Sequence, residues 1–76
     1  MEALYGIGGS SEYPPCLLIL RYRGNPESDE IYGLIGKGVT CDTGGYCLKG
    51  SKSMAGIKGD MAGAAAVAGA MHAIAA

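Results

Sequence analysis

The sequence predicts an α/β architecture: a partial, mostly parallel sheet with a C-terminal Ala/Gly-rich helix. Three observations carry this. Cys16–Tyr22 and Ile31–Gly36 are short apolar runs with little polar alternation, the pattern of strands buried on both faces. Met61 to Ala76 is a run of small residues rich in Ala, the best helix former. An Ala/Gly helix packs closely on a sheet, which favours a layered α/β arrangement over a sandwich.

Taken in order, Met1–Ile7 is too short to assign. Gly8-Gly9-Ser10-Ser11 and Pro14-Pro15 mark a loop. The first expected strand, Cys16–Tyr22, ends at the polar turn Gly24–Glu30. The second, Ile31–Gly36, runs into the densest glycine stretch, Gly36-Lys37-Gly38-Val39-Thr40-Cys41-Asp42-Thr43-Gly44-Gly45. Tyr46–Lys58 reads as loop. Asp60 stands where the N-cap of the last helix belongs. Gly59 and Gly63 form a small-xxx-small pair, read here as close packing.

Composition narrows the function. The chain has 76 residues, 6 basic and 7 acidic side chains, and a net charge of -1, so nothing electrostatic points to nucleic acid or an anionic membrane. Glycine numbers 14, while aromatics are limited to 5 tyrosines. Bulky core material is therefore scarce, and a domain this small is marginal without help. Such a chain suits a piece of something larger. Cys16, Cys41 and Cys47 are an odd set without a Cys-x-x-Cys pair, and read as buried free thiols in a reducing compartment. No signal peptide or membrane span is visible, so a cytoplasmic, soluble protein is expected.

The glycine motifs fail the phosphate-loop tests. Gly36-Lys37 is followed by Gly38 rather than Ser or Thr, and Gly6-Ile7-Gly8 has Ser11 where a dinucleotide fingerprint needs its third glycine. The charged residues in the apolar, glycine-rich setting are more informative. Lys37 ends a strand, Asp42 follows five residues later, Lys49 lies in the next loop, and Asp60 heads the helix. Open α/β sheets bind ligands at such strand ends. Two carboxylates and two lysines there could hold a divalent cation, with Asp oxygens suiting Mg, Mn or Zn. Each residue also has a plainer reading: solvated lysines for Lys37 and Lys49, a turn aspartate for Asp42, a cap for Asp60. His72 reads as a bystander.

The spacing sets a condition. Side chains five apart on an unbroken strand point to opposite faces, so Lys37 and Asp42 can share a site only if the chain bends between them. Gly38 supplies a permissive position. A ligating lysine must also be neutral, which at pH 7 costs about 4.6 kcal/mol from a reference pKa near 10.4. Only a dense positive centre offsets that.

The string Leu34 to Lys49, with Gly-Lys-Gly-Val-Thr-Cys-Asp-Thr-Gly-Gly at its centre, resembles the leucyl (cytosol) aminopeptidases. Met54 and Lys58-Gly59-Asp60-Met61-Ala62-Gly63-Ala64-Ala65-Ala66-Val67 match that family's next block, and Gly9–Glu12 is similar too. The resemblance spans essentially the whole chain. It implies that residues 1–76 are an incomplete, N-terminal part of a metalloaminopeptidase catalytic domain, with Met1 inside a helix preceding the first strand. It implies Lys37, Asp42 and Asp60 as metal ligands, Asp42 bridging two divalent ions (Zn, Mn or Mg), and Lys49 as the catalytic lysine that polarises the scissile carbonyl. It implies peptide substrates with a free N-terminus, a cytosolic homohexamer, and a bicarbonate base held by an arginine. The family's Asn-Thr-Asp-Ala-Glu-Gly-Arg segment, source of two further carboxylates and that arginine, is not in these 76 residues. Cys41 replaces a usual Phe, Gly50 a usual Pro, and Ala55 a common Asp. Two other readings remain: a small non-catalytic α/β interaction or assembly domain, and an anion-binding glycine loop using Lys37.

Overall fold

Ala-rich sequence at the C-terminus folds as expected, into the longest element of the chain. The computed structural model describes residues 1–46 and 48–76, with Cys47 outside the described residues. Helix α1 spans Glu2–Gly8, α2 spans Ser51–Met54, a 3-10 turn spans Ile57–Met61, and α3 spans Ala62–Ala75. The part-buried positions of α3 are Ala64, Val67, Ala70 and Met71. Their three- and four-residue spacing defines one face. That face meets Gly38 through Ala64, and at its far end Met71, with Ala68, His72 and Ala75 of the same helix, lines a shallow apolar groove against Leu20, Arg21 and Tyr22.

The sheet is not there. No strand occurs among the described residues, so the expected α/β layer is corrected to short helices joined by irregular chain. Cys16–Tyr22 and Ile31–Gly36 carry no ladder. The physical reason lies in the strand type that the sequence encodes. A strand apolar on both faces needs neighbours on both edges and cover on both faces. Here those neighbours are missing, and Leu18 is 74% exposed and Ile35 97% exposed. No residue reaches full burial among those described. The accessible surface is 6940 Å², against about 4,300 Å² for a compact protein of this mass. The radius of gyration is 16.0 Å, against about 11 Å for a compact domain of this length.

Other local expectations also change. Met1–Ile7, left unassigned, lies almost wholly in α1, whose end folds back so that Gly8 meets the ring of Pro15. Tyr46–Lys58, read as loop, contains α2 and the start of the 3-10 turn. Between them, Ala55 (φ -65°, ψ 128°) and Gly56 (φ 79°, ψ 6°) adopt the dihedrals of a type II turn, which favours glycine at its second corner. Asp60 does not cap α3. It lies inside the 3-10 turn, and Met61 is the N-cap without a side-chain bond. Cys16 and Cys41 are free, as expected, but exposed rather than buried. Among the described residues, no helix is long and apolar enough to cross a membrane.

Candidate metal and peptide site

Two backbone hydrogen bonds tie the glycine-rich segment to the helical end of the chain. The Ala64 amide donates to the Lys37 carbonyl at 2.9 Å, and the Asp42 amide donates to the Ile57 carbonyl at 3.3 Å. These two points bring Lys37 and Asp42 against the 3-10 turn that carries Asp60. Glycine permits the approach: a Cβ on Gly36 would collide with the Gly63 carbonyl, and one on Gly63 would sit 3.1 Å from the Lys37 nitrogen. The chain bends at Thr40 rather than running straight. The condition set by the five-residue spacing is therefore met, and both side chains reach the same place.

Asp42 is fixed by its own turn. Its Oδ1 accepts the Gly44 amide at 2.9 Å, and Thr43 Oγ1 accepts the Gly45 amide at 3.3 Å. Both turns bend the backbone within two residues, as Asx and Ser/Thr turns do. Gly44 (φ 75°) and Gly45 (φ 128°) occupy the positive-φ region where side chains are strained. With Oδ1 engaged, Oδ2 is left to face two ammonium groups, Lys49 at 3.5 Å and Lys37 at 3.6 Å. The Lys49 ammonium also donates to the Asp42 carbonyl oxygen at 2.9 Å. One aspartate thus anchors both lysines.

Asp60 approaches from the other side, with Oδ2 2.7 Å from Lys37 Nζ. This is a charge contact rather than an aligned hydrogen bond, because the same oxygen is shielded from solvent and accepts no hydrogen bond of good geometry. The Lys37 ammonium therefore occupies the place on this shielded oxygen that a metal cation would take. The ammonium responds to its neighbours. The close Asp60 carboxylate, and Asp42 beyond it, raise Lys37 above its ordinary value against the opposing effect of burial. Asp42 is held below the ordinary carboxylate value, first by the Gly44 N–H and then by the Lys49 charge.

All four residues singled out from the sequence, Lys37, Asp42, Lys49 and Asp60, therefore meet in one cluster. Asp42, Lys49 and Asp60 also line an open polar cleft with Ser53, Gly56 and Gly59. Ser53 was not foreseen, because Tyr46–Lys58 carried no periodic signal that would place α2 beside the aspartates. The close contact of Gly63 was foreseen as small-residue packing, but its partner is Gly36, and Gly59 meets nothing. His72 lies away in the apolar groove. Among the described residues there is no group of three or more His, Cys, Asp or Glu side chains able to hold a metal. The donors present are two carboxylates and one lysine, which suit a hard divalent cation but do not fill its shell.

Comparison with known proteins shows the family. The family described as "Cytosol aminopeptidase family, catalytic domain" matches residues 1–76. A probable cytosol aminopeptidase of Alkaliphilus metalliredigens is 51% identical over 74 residues, 97% of this chain and 15% of that protein. One from Bacillus licheniformis is 47% identical over 74 residues, again 97% of this chain and 15% of the relative. One from Phytoplasma australiense is 49% identical over 76 residues, 100% of this chain and 15% of the relative. The chain thus spans about 15% of the length of these relatives. No solved structure matches it.

Proposed function

The chain belongs to the cytosol aminopeptidase family, within its catalytic domain, and we propose on that premise that it supplies part of a metal-dependent centre that removes N-terminal residues from peptides. The observation that carries the proposal is the meeting of Lys37, Asp42, Asp60 and Lys49 at contacts of 2.7 to 3.6 Å. Lys37, Asp42 and Asp60 would hold the divalent ions (Zn, Mn or Mg). A divalent ion in such a site supplies Lewis acidity and a more acidic bound water.

The residues of the chain divide the remaining work. Asp42 keeps one oxygen on Gly44 and presents the other to the cluster, so its carboxylate is oriented before any ligand arrives. The Asp60 Oδ2, shielded from solvent, is held against the Lys37 ammonium at 2.7 Å, so a metal would have to displace that charge contact. Lys37 now places its ammonium between the two carboxylates, and to act as a nitrogen donor it must release a proton that both aspartates hold in place. Lys49, tethered by the Asp42 carbonyl, sets a positive charge beside the cleft, where a substrate carbonyl oxygen gaining negative charge would be stabilised. The cleft is open and lined by small residues, which suits the end of an extended peptide.

Peptides with a free N-terminus are the substrates proposed, in the cytoplasm and within a homohexamer, with neither nucleic acid nor membrane as partner. Residues 1–76 are proposed as an incomplete part of the catalytic domain. Alone they lack the Asp, Glu and Arg of the family's second motif, so the isolated chain should not hydrolyse an aminoacyl anilide. Release of the chromogenic amine by the purified chain would contradict this. Titration with Mn²⁺ tests the centre itself. Asp42→Asn and Asp60→Asn should each weaken binding at least tenfold, and an affinity unchanged in both variants would overturn the metal reading in favour of a non-catalytic domain.

A further inference from the structure

We propose that Gly36 and Gly63 are positioning residues: their backbone-to-backbone contact sets the distance between Lys37 and Asp60. The inference rests on the metal reading above and adds to it the element that assembles the cluster. Three observations carry it. A Cβ on Gly36 would lie against three backbone atoms, the Gly63 carbonyl oxygen and carbon and the Ala64 Cα, none of which can turn aside. From the other side, a Cβ on Gly63 would stand 3.1 Å and 3.2 Å from the Lys37 nitrogen and oxygen. At the same place the Ala64 amide donates to the Lys37 carbonyl at 2.9 Å, so the contact is fastened as well as close.

The consequence for the cluster follows from connectivity. Lys37 is the next residue after Gly36, and Asp60 is three residues before Gly63 at the head of the same helical segment. Any side chain at either glycine must push the Lys37 backbone away from the start of α3. That opening separates Lys37 from Asp60, whose charges meet at 2.7 Å. Asp42 is attached elsewhere, through Ile57, so its distance to Lys49 should survive. The glycines thus act on one half of the cluster through the backbone, without touching the side chain of a ligand.

The neighbouring glycine supplies a contrast. A Cβ on Gly38 would meet only the Ala64 methyl, at 2.9 Å. Gly38→Ala should therefore be rescued by Ala64→Gly, which removes that methyl. Gly36→Ala should not be rescued, because its obstacle is backbone. Gly69 belongs to the same helix as Gly63 and meets nothing within 4 Å, which makes Gly69→Ala the control.

The experiment uses the full chain, with circular dichroism to confirm that each variant keeps its helices. Three readouts are taken: Mn²⁺ affinity, hydrogen exchange of the Ala64 amide, and the rate at which an amine-reactive reagent labels Lys37 relative to Lys52. Gly36→Ala should weaken Mn²⁺ binding at least tenfold, abolish Ala64 protection and speed Lys37 labelling at least fivefold. Gly63→Ala should act in the same direction and less strongly, and Gly69→Ala should stay within twofold of the parent in Mn²⁺ affinity and Lys37 labelling without lowering Ala64 protection. Lys37 labelling and Ala64 exchange unchanged in Gly36→Ala would overturn the positioning role, as would rescue of that variant by Ala64→Gly. If the parent binds no Mn²⁺, the metal reading fails by itself, and labelling and exchange still decide the role of the glycines.

Discussion

Residues 36–64, rich in glycine, and residues 16–35, richer in bulky apolar side chains, fare differently. The first region is held by contacts that close within itself: Lys37 to Ala64, Asp42 to Ile57, Asp42 to Gly44, and four charged side chains in one cluster. Among the described residues, the second region forms only short-range hydrogen bonds, such as the Ser28 amide donating to the Asn25 carbonyl, Asn25 Oδ1 accepting the Glu27 amide and Ser28 Oγ accepting the Glu30 amide. Its large apolar residues stay exposed. The difference teaches which information is local. Turn chemistry and charge pairing are satisfied by near neighbours in sequence, whereas a doubly buried strand is defined by partners that must come from elsewhere.

The comparison can be broken most severely with pH. Asp42 is lowered below 3.8, so its contribution to the cluster is fully present above that value and is lost as pH falls through its lowered value. Lys37 is raised above 10.5, so its contribution is fully present below that value and is lost as pH rises through its raised value. The cluster should therefore be constant between about pH 5 and pH 9, by the same linkage. Amide shifts of Gly44 and Ala64 followed across that range should be flat, and a midpoint near neutrality would contradict the arrangement. Residues 16–35 should show no change coupled to either limit.

A smaller and more local effect is expected from Gly44→Val. That position has φ 75°, and a Cβ there would also touch Leu48 and Lys49 at 3.3 Å. The cost should be about 1–2 kcal/mol for a side chain in the left-handed region, read as a lower denaturation midpoint and weaker Mn²⁺ binding. Smaller still, Gly69→Ala should stabilise α3 by about 0.5–1 kcal/mol, since glycine inside a helix is unfavourable by that amount. Helical ellipticity against temperature would register it. Smallest of all, Leu18→Ser and Ile35→Ser should each change stability by less than about 0.5 kcal/mol, because surface positions rarely matter more. A loss of 2 kcal/mol or so in either would mean that these segments are buried in solution, as large apolar side chains in a core would be.

What was legible in the sequence follows the same division. The Lys37–Lys49 string and the Lys58–Val67 block identified the family and the four cluster residues, because each motif residue has a job done by its own neighbours. Asp42 needs the glycines that follow it, and Gly36 needs the absence of a side chain opposite. The helix from about Met61 was legible from alanine content, with its start one residue later, at Ala62. The sheet was misjudged because apolar runs report how a strand would be covered, and nothing in these residues covers them. Asp60 was misplaced as a cap because an acidic residue before an Ala run signals a helix start equally well when a 3-10 turn intervenes. Helix α2 escaped notice because four residues are too few to show a period.

The claim at the centre of this account is that Lys37, Asp42 and Asp60 form one cation centre. Paramagnetic broadening of amide resonances by added Mn²⁺ tests it most directly, since the chain carries a second acidic stretch at Glu27, Asp29 and Glu30 as an internal competitor. The account predicts that the amides of Lys37, Asp42, Gly44 and Asp60 broaden first, at Mn²⁺ concentrations that leave Glu27–Glu30 sharp. Broadening that begins at Glu27–Glu30, or that rises equally at both places, would contradict it.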